Sequence, residues 1–576
     1  MSAPDGSAPL TAHQVVRIVL RTLAPERSFV SLAAIYGIGI GLLSLATPIA
    51  VQVLINTVAY TGLTAPLVVL SLTLFALLLA SGLLNALRVH LMEIFARRFY
   101  ARMVARIALK ALYARNPFFA DEDRGPLFNR YFDIVAVQKA VPVLFIGGFT
   151  VILQVAVGFV LTSFYHPLFL AFNLVVTLLL WGVWIVWGRS AIMTSVAMSQ
   201  RKHDAAAWVE TLAASNGYYK SDRHVAFALA ETDRATGAWV AAHRSHFRRF
   251  FAQTVSFLVI YAAASAALLG LGGWLVIQGQ LTLGQLVAAE LVLSAALYGI
   301  SQLGTYFNYL YDLAAACEEL SLIEAVEEEA PRGEECPPHD DATLVFDRVC
   351  GQARGVDACF DLTIPGGVAV LATASVHGVQ RLFTNLLKRF DDPATGVLTL
   401  GGDDVSGMEA FALRRDVMVL DRPTVVGGTI RRYLALARDG VTSAEMLEAL
   451  GTVGLGETVA GLEGGLDARI AGTGYPLSVS ETMRLKLAGA VLARPAVLVL
   501  SPLYDTVPEG ALVRSVRAAQ ECGGTGRRAT VIVFTAAGRD LPLDGTLVLT
   551  PNEQVLTLGE TGRLAPPAPA LPYAAE

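Results

Sequence analysis

Six apolar runs in the first part of the chain decide what it can fold into. They lie near residues 28–57, 65–95, 137–165, 167–188, 250–277 and 284–312. Each is about 20 residues or longer, enough for a helix to cross the roughly 30 Å hydrocarbon core of a bilayer. Within that core every backbone N–H and C=O needs a partner inside the protein, and the helix supplies one for each. The runs also explain the composition: 16% of the 576 residues are charged, where an average soluble chain carries about 25%. The net charge of −5 and the lack of a general basic surface point away from nucleic acid as a partner.

The loops predict an orientation. The segment after the second run holds Arg97, Arg98, Arg102, Arg106, Lys110, Arg115, Arg124 and Arg130. The segment after the fourth holds Arg189, Arg201, Lys202, Lys220, Arg223, Arg234, Arg244, Arg248 and Arg249. The opposite connections, AYTGLTAP (59–66) and YHP (165–167), carry no Lys or Arg. The positive-inside rule then places both long loops and both termini in the cytoplasm. The long loops have helical patterning, so the second to fifth helices are expected to project beyond the membrane.

Ionisable groups inside the runs are few. Glu290, in LVAAELVLSAALYG, is a candidate cavity residue, because a carboxylate in a span is costly and often functional. A passive place near the outer headgroups or a wet cavity is the competing reading. For Gln154, Asn173, Gln302 and Asn308, hydrogen bonding between helices is expected.

Residues 324–341, EAVEEEAPRGEECPPHDD, read as a solvated acidic break. Beyond it strands alternate with helices: TLVFDRV, VAVLAT, a helix through QRLFTNLLKRF, DVMVLD, VLVLS and TVIVFT. That alternation predicts a largely parallel sheet. The five cysteines, Cys317, Cys336, Cys350, Cys359 and Cys522, are odd in number and scattered, which fits reduced thiols better than a disulfide framework. No cleavable-signal pattern opens the chain. The tail RLAPPAPALPYAAE is expected to be disordered.

The strand VLVL (497–500) raises a sharper question. Parallel-sheet folds place ligands at the carboxyl ends of their strands, and this strand arrives there with Ser501 and Pro502. Neither can bind a metal as a carboxylate or act as a general base.

Four further stretches frame the answer: GQLTLGQLVA (279–288), LRRDVMVLDRPTVVGGTI (413–430), GLDARIAGTGYPLSVSE (465–481) and LAGAVLARPAVLVLS (487–501). In order and spacing they resemble the approach to the sixth span, the glutamine-loop segment, the lead into the signature motif, and the following helix and strand of ABC exporter half-transporters. The resemblance covers nearly the whole chain. It implies an all-α six-helix transmembrane bundle with cytoplasmic helix extensions, type I ABC exporter-like, followed by an α/β P-loop-NTPase-like ABC domain. The boundaries expected are 1–25 for a cytoplasmic segment, 26–323 for the transmembrane domain, 324–343 for the linker, 344–562 for the ABC domain and 563–576 for the tail.

Carried onto that pattern, each nucleotide position is altered. The phosphate loop should read GxxxxGK[ST], glycines for close backbone approach, lysine for phosphate and a hydroxyl for magnesium. The corresponding LATASVHGVQRLF (371–383) contains Ala372, Ser375, His377, Gly378 and Gln380; either Gly378 or Gln380 falls near the lysine position, and there is no lysine. Asp421 stands at the glutamine of the glutamine loop. The signature LSGGQ has become Leu477, Ser478, Val479, Ser480 and Glu481. Ser501 and Pro502 replace the Asp-Glu pair that holds magnesium and polarises water. Ala536 replaces the switch histidine, and no adenine-stacking aromatic occupies RVCGQARG (348–355). His377, Asp421 and Asp505 are the polar groups left, with structural or surface roles expected for each.

The resemblance therefore implies a pseudo-ATPase that is not itself an enzyme, with weak or absent binding of ATP and magnesium and no metal site. As a bilayer-embedded subunit of a bacterial inner membrane it would pair with an ATP-competent half-transporter, coupled through tips such as 116–130 and 211–224, with other secretion components as further partners. The alternative is a nucleotide-independent membrane scaffold or regulatory pseudo-transporter, either a homodimer or a peripheral component of a larger secretion complex.

Overall fold

The computed structural model describes residues 11–60, 64–115, 125–329, 333, 339, 341–521, 528–536 and 538–559. The expected tail, 563–576, and much of the expected linker and of the 116–130 tip lie outside the described residues. The chain divides into two compact units, Met1–Glu328 and Glu329–Glu576.

The first unit is helical. Its helices are α1 (Ala12–Leu23), α2 (Arg27–Leu43), α3 (Ala46–Tyr60), α4 (Thr64–Leu112), α5 (Asp133–Val143), α6 (Phe149–Ser163), α7 (Pro167–Val183), α8 (Arg189–Ala214), α9 (Asp222–Ile277), α10 (Leu283–Ser301) and α11 (Leu303–Glu324). Single π-turns join α5 to α6 and α7 to α8, so each pair runs as one rod. Among the described residues, six of the resulting helices are long and apolar enough to cross a membrane. With 49 and 56 residues, α4 and α9 reach roughly 74 and 84 Å at 1.5 Å per residue, well beyond a ~30 Å apolar core.

Two predicted spans are interrupted. The first breaks between α2 and α3 at Ser44–Leu45, where Pro48 has no N–H to offer the Ser44 carbonyl and Ser44 Oγ turns back to Gly41 O at 2.6 Å. The sixth stops at Ser301 and restarts at Leu303.

Packing follows helical spacing. Met92, Phe95, Phe99 and Met103 form one buried stripe of α4, against Ile134, Val137 and Val141 of α5 and Cys317 and Leu320 of α11. Further along α4, Leu72 and Phe75 stay exposed, as a lipid-facing surface would. Polar groups join the helices. Asn173 Nδ2 donates to Phe159 O at 2.9 Å and meets Thr162 and Ser163, and Tyr311 donates to Gln253 at 2.6 Å, as expected for polar residues between helices. Arg130 pairs with the fully buried Glu319 at 2.6 Å.

Among the described residues, the second unit has three sheets. Five strands of the main sheet run parallel, in the order β11 (Gly545–Leu549), β3 (Ala369–Ala374), β10 (Thr530–Phe534), β9 (Val497–Leu500) and β6 (Val417–Leu420). Antiparallel β12 (Gln554–Leu558) lies at the β11 edge. A separate antiparallel sheet has the order β2 (Val356–Ile364), β1 (Leu344–Ala353), β4 (Thr395–Leu400) and β5 (Asp403–Asp404); β7 (Gly428–Thr429) pairs with β8 (Arg469–Ile470). The helices are α12 (His377–Leu387), α13 (Ala410–Asp416), α14 (Ile430–Ala435), α15 (Ser443–Thr452), α16 (Gly456–Gly461), α17 (Val479–Ala493) and α18 (Glu509–Glu521).

The main sheet is buried on both faces. Leu498, Leu500, Val531 and Val533 meet α15, α17 and α18, while Val497, Val499, Ile532 and Phe534 meet α12 and the antiparallel sheet. Hence all four VLVL side chains are apolar, each worth about 1.5–3 kcal/mol when fully buried.

One expectation is overturned. Cys350 and Cys359 are joined by a disulfide of 2.09 Å, with Cα atoms 4.0 Å apart. The β1–β2 hairpin turns at Arg354–Gly355 and sets the two residues directly opposite each other. Sequence separation alone could not reveal that pairing.

Candidate functional site

The carboxyl ends of β6 and β9 open onto a cavity of about 500 Å³. Val419 and Val499, register partners on these strands, line its wall, and Asp421, Ser501 and Pro502 follow them into it. His377 and Gln380 of α12 line it as well, so residues of three of the altered motifs, His377 and Gln380, Asp421, and Ser501 and Pro502, meet in one cavity, while Leu477–Glu481 and Ala536 do not line it.

The motif residues divide by what they do. Ala372 is fully buried in the middle of β3, opposite Phe534 on one side and Leu547 on the other. Only Ser375 and Val376 separate the end of β3 from the start of α12. The Ser375 N–H is already taken by Leu549 O at 2.9 Å. So short a connection leaves no loop to wrap around a phosphate. Gly378 is a packing residue: a Cβ there would lie 2.7 Å from Val356 Cγ2 and 3.1 Å from Ala353 O. The glycine lets the first turn of α12 touch the β1–β2 hairpin.

At the end of β9, the Ser501 N–H donates to Leu420 O at 3.1 Å and locks β9 to β6. Its hydroxyl is buried on the cavity wall with no hydrogen-bond partner among the described residues. Pro502 opens a short 3₁₀ helix, a position that needs no N–H. Beyond β10, the Ala536 N–H donates to Asp505 Oδ2 at 3.0 Å. Asp505 therefore ties the loop after β10 to the loop after β9, a structural task.

The altered signature folds as a helix cap. Ser478 is the N-cap of α17; the Glu481 N–H donates to its Oγ at 3.3 Å, while Glu481 Oε2 accepts from the Ser478 N–H at 2.9 Å and the Ser478 hydroxyl at 2.8 Å. These bonds hold the Glu481 carboxyl below its ordinary pKa. Leu477 is buried, and Val479 is exposed. The positive end of α17 is thus satisfied by its own glutamate.

The electrostatics of the cavity are cationic. Arg354, at the hairpin turn, joins Arg381 and Arg422 in its lining, and Asp421 is the one acid among the described lining residues. Burial, then the charges of these three arginines, lowers the pKa of His377. The sequence reading noted the missing aromatic in 348–355 but not that Arg354 lines the cavity. Elsewhere, Glu290 Oε1 accepts from Ser294 at 2.8 Å while its Oε2 is buried without a partner. The sequence reading also passed over Arg88 in the second span. Its guanidinium is buried, donating to Thr150 at 2.6 Å and Asn85 at 2.7 Å. The signal was present, a single arginine in the apolar stretch LLNALRVHL.

Comparison with known proteins agrees with this architecture. Residues 30–212 match the ABC transporter transmembrane region family. A Mycobacterium bovis fatty acid ABC transporter ATP-binding/permease protein is 30% identical over 269 residues, 45% of this chain and 42% of that one. A Bordetella pertussis cyclolysin secretion/processing ATP-binding protein is 25% identical over 274 residues, 46% of this chain and 38% of that one. The chain thus spans less than half the length of these curated relatives. The solved structure of a bacterial Atm1-family ABC exporter with ATP bound superposes with a TM-score of 0.75 at 18% identity, covering 92% of this chain and 95% of that one. Residues 30–212 are thus similar to the ABC transporter transmembrane region, and the chain has the fold of an ABC exporter. It is an integral membrane protein with six candidate spans among the described residues.

Proposed function

We propose that this chain is a catalytically inactive ABC exporter-like subunit that pairs with an ATP-competent half-transporter in a membrane export or secretion complex. One observation carries the reading: only Ser375 and Val376 connect β3 to α12, where ATP hydrolysis needs a glycine-rich loop and its lysine around the phosphates. Ser501 and Pro502 at the end of β9 support it, since neither coordinates magnesium as a carboxylate nor activates water. In this reading the second unit keeps the sheet for packing and docking, both termini are cytoplasmic, and the first unit supplies half of the translocation path in a bacterial inner membrane.

A second reading is favoured by the Ser478–Glu481 cap. It closes the face that a partner's nucleotide would meet, as suits a nucleotide-independent homodimeric scaffold. Isolation of the tagged chain from its native membrane separates the two. An ATP-competent half-transporter recovered in equal amount supports the first reading; a symmetric self-dimer without such a companion contradicts it and supports the second.

A further inference from the structure

The Cys350–Cys359 bond joins the two strands of an exposed hairpin, in a unit that the proposed orientation puts in the cytoplasm. We propose that it is a thiol–disulfide exchange site, opened by a dithiol reductant and closed again by a small disulfide, with Cys359 as the sulfur attacked. The inference rests on the cytoplasmic placement in the proposed function and is independent of whether the chain hydrolyses ATP.

Placement makes the bond accessible and reversible. Alternation along β2 buries Ala358 and Phe360 and turns Cys359 outward; Cys359 is exposed and Cys350 half-buried. A reductant therefore meets Cys359 first. In a reducing compartment disulfides persist chiefly as transient or redox-sensing bonds, and exchange depends on access to a sulfur. The backbones of both cysteines are held from outside the hairpin. The Cys359 N–H donates to Pro551 O at 2.9 Å and Gln554 Nε2 to Cys359 O at 2.8 Å, while the Ala394 N–H donates to Cys350 O at 2.8 Å. These bonds keep the two residues opposite each other once the sulfurs part, so the bond can form again.

In the opening step a thiolate of the reductant attacks Cys359 Sγ, a mixed disulfide forms, and Cys350 leaves as a thiolate that takes a proton. Cys350 Sγ lies 3.6 Å from Arg348 O, an acceptor for the new thiol. The second thiol of the reductant loses its proton and attacks the reductant's own sulfur in the mixed disulfide. Cys359 is released and protonated. The cysteine pair has gained two electrons and two protons, and the reductant ends as a disulfide. Oxidised glutathione reverses the exchange and leaves as two molecules of the thiol.

The bond braces the tip of the hairpin. Beyond it Gly351 pairs with Ala358, Gln352 with Asp357 and Ala353 with Val356, and the strands turn at Arg354–Gly355. Behind it β1 shifts register with both neighbours, with β2 between Phe346 and Val349 and with β4 between Asp347 and Cys350. The cross-link thus sits where the sheet holds the tip least regularly. The tip in turn packs on α12. A Cβ on Gly351 would lie 3.0 Å from Leu382 Cδ1, and Gly378 fits against Val356 and Ala353. Opening the bond therefore loosens the contact between the hairpin tip and the start of α12.

Redox titration of the purified full-length chain in glutathione buffers tests this, with thiols alkylated at each step and located by peptide mapping. In the folded chain Cys350 and Cys359 are expected to be reduced together within the series and to pair again on return to oxidised glutathione. Acid trapping during reduction is expected to find the glutathione adduct on Cys359; an adduct on Cys350 overturns the assignment of the attacked sulfur. Amide exchange at 351–358 is expected to rise about tenfold or more on reduction. The double variant Cys350→Ser/Cys359→Ser is expected to exchange at the fast rate in either buffer, which separates this bond from the other cysteines. A bond that opens only on unfolding, thiols that do not pair in oxidised glutathione, or exchange at 351–358 indifferent to reduction overturns the proposal. After reduction, a membrane-impermeant maleimide is expected to label Cys359 in inverted vesicles and not in intact cells. Labelling in intact cells overturns the cytoplasmic placement, and the reductant with it, whatever the titration shows.

Discussion

Ser501 and Glu481 show how single residues refit a motif. Ser501 sits where the resemblance puts an acid, and its backbone N–H now bolts β9 to β6. Glu481 reads in the sequence as stray negative charge in a broken signature. Its spacing from Ser478 is the S-x-x-E pattern of a capping box, and the structure forms that box in full. Ser478→Ala is expected to cost about 1 kcal/mol, visible as faster amide exchange at the start of α17. The cap is also pH-dependent. Because the folded Glu481 carboxyl lies below its ordinary value, its contribution is complete above the unfolded Glu range and fades as pH falls through the lower folded value. Protection of the amides of 479–482, taken relative to their intrinsic exchange rates at each pH, should therefore fall on acidification, and Glu481→Gln should flatten that response. Arg88 marks the opposite limit: its place in an apolar run was legible, but its bonds to Thr150 and Asn85 depend on which helix faces pack.

Among the elements, those buried on both faces were the most readable. VLVL and TVIVF have no polar side to present, so composition alone identifies them as central parallel strands. The β1–β2 hairpin was harder to see. Its pairing shifts register between Phe346 and Val349, with Arg348 at φ 47°, and that irregularity breaks the simple alternation and hides the opposition of Cys350 to Cys359. In the connection from β3 to α12, the sequence reading gave Gly378 only a place in an altered phosphate loop; its packing against the β1–β2 hairpin needed the fold to be seen. Gly378→Ala should therefore lower thermal stability, by about 1–3 kcal/mol for an overpacked contact, whether or not any nucleotide is present. If the variant melted like the parent and lost only ligand binding, the packing role would be wrong.

At the scale of the whole molecule, run lengths and the switch from helical to strand texture were enough to foresee a membrane bundle followed by a sheet domain. The breaks at Ser44 and Gln302 needed local backbone geometry, and the cavity arginines needed the hairpin turn that brings Arg354 beside α12. The proposed function is that of an ABC exporter fold whose second unit does not hydrolyse ATP. The direct measurement is magnesium-dependent ATP hydrolysis by the purified chain, compared with a form lacking the second unit. The rates are expected to be indistinguishable. Turnover by the complete chain above that control, abolished by substitution of residues within 375–380, would contradict it.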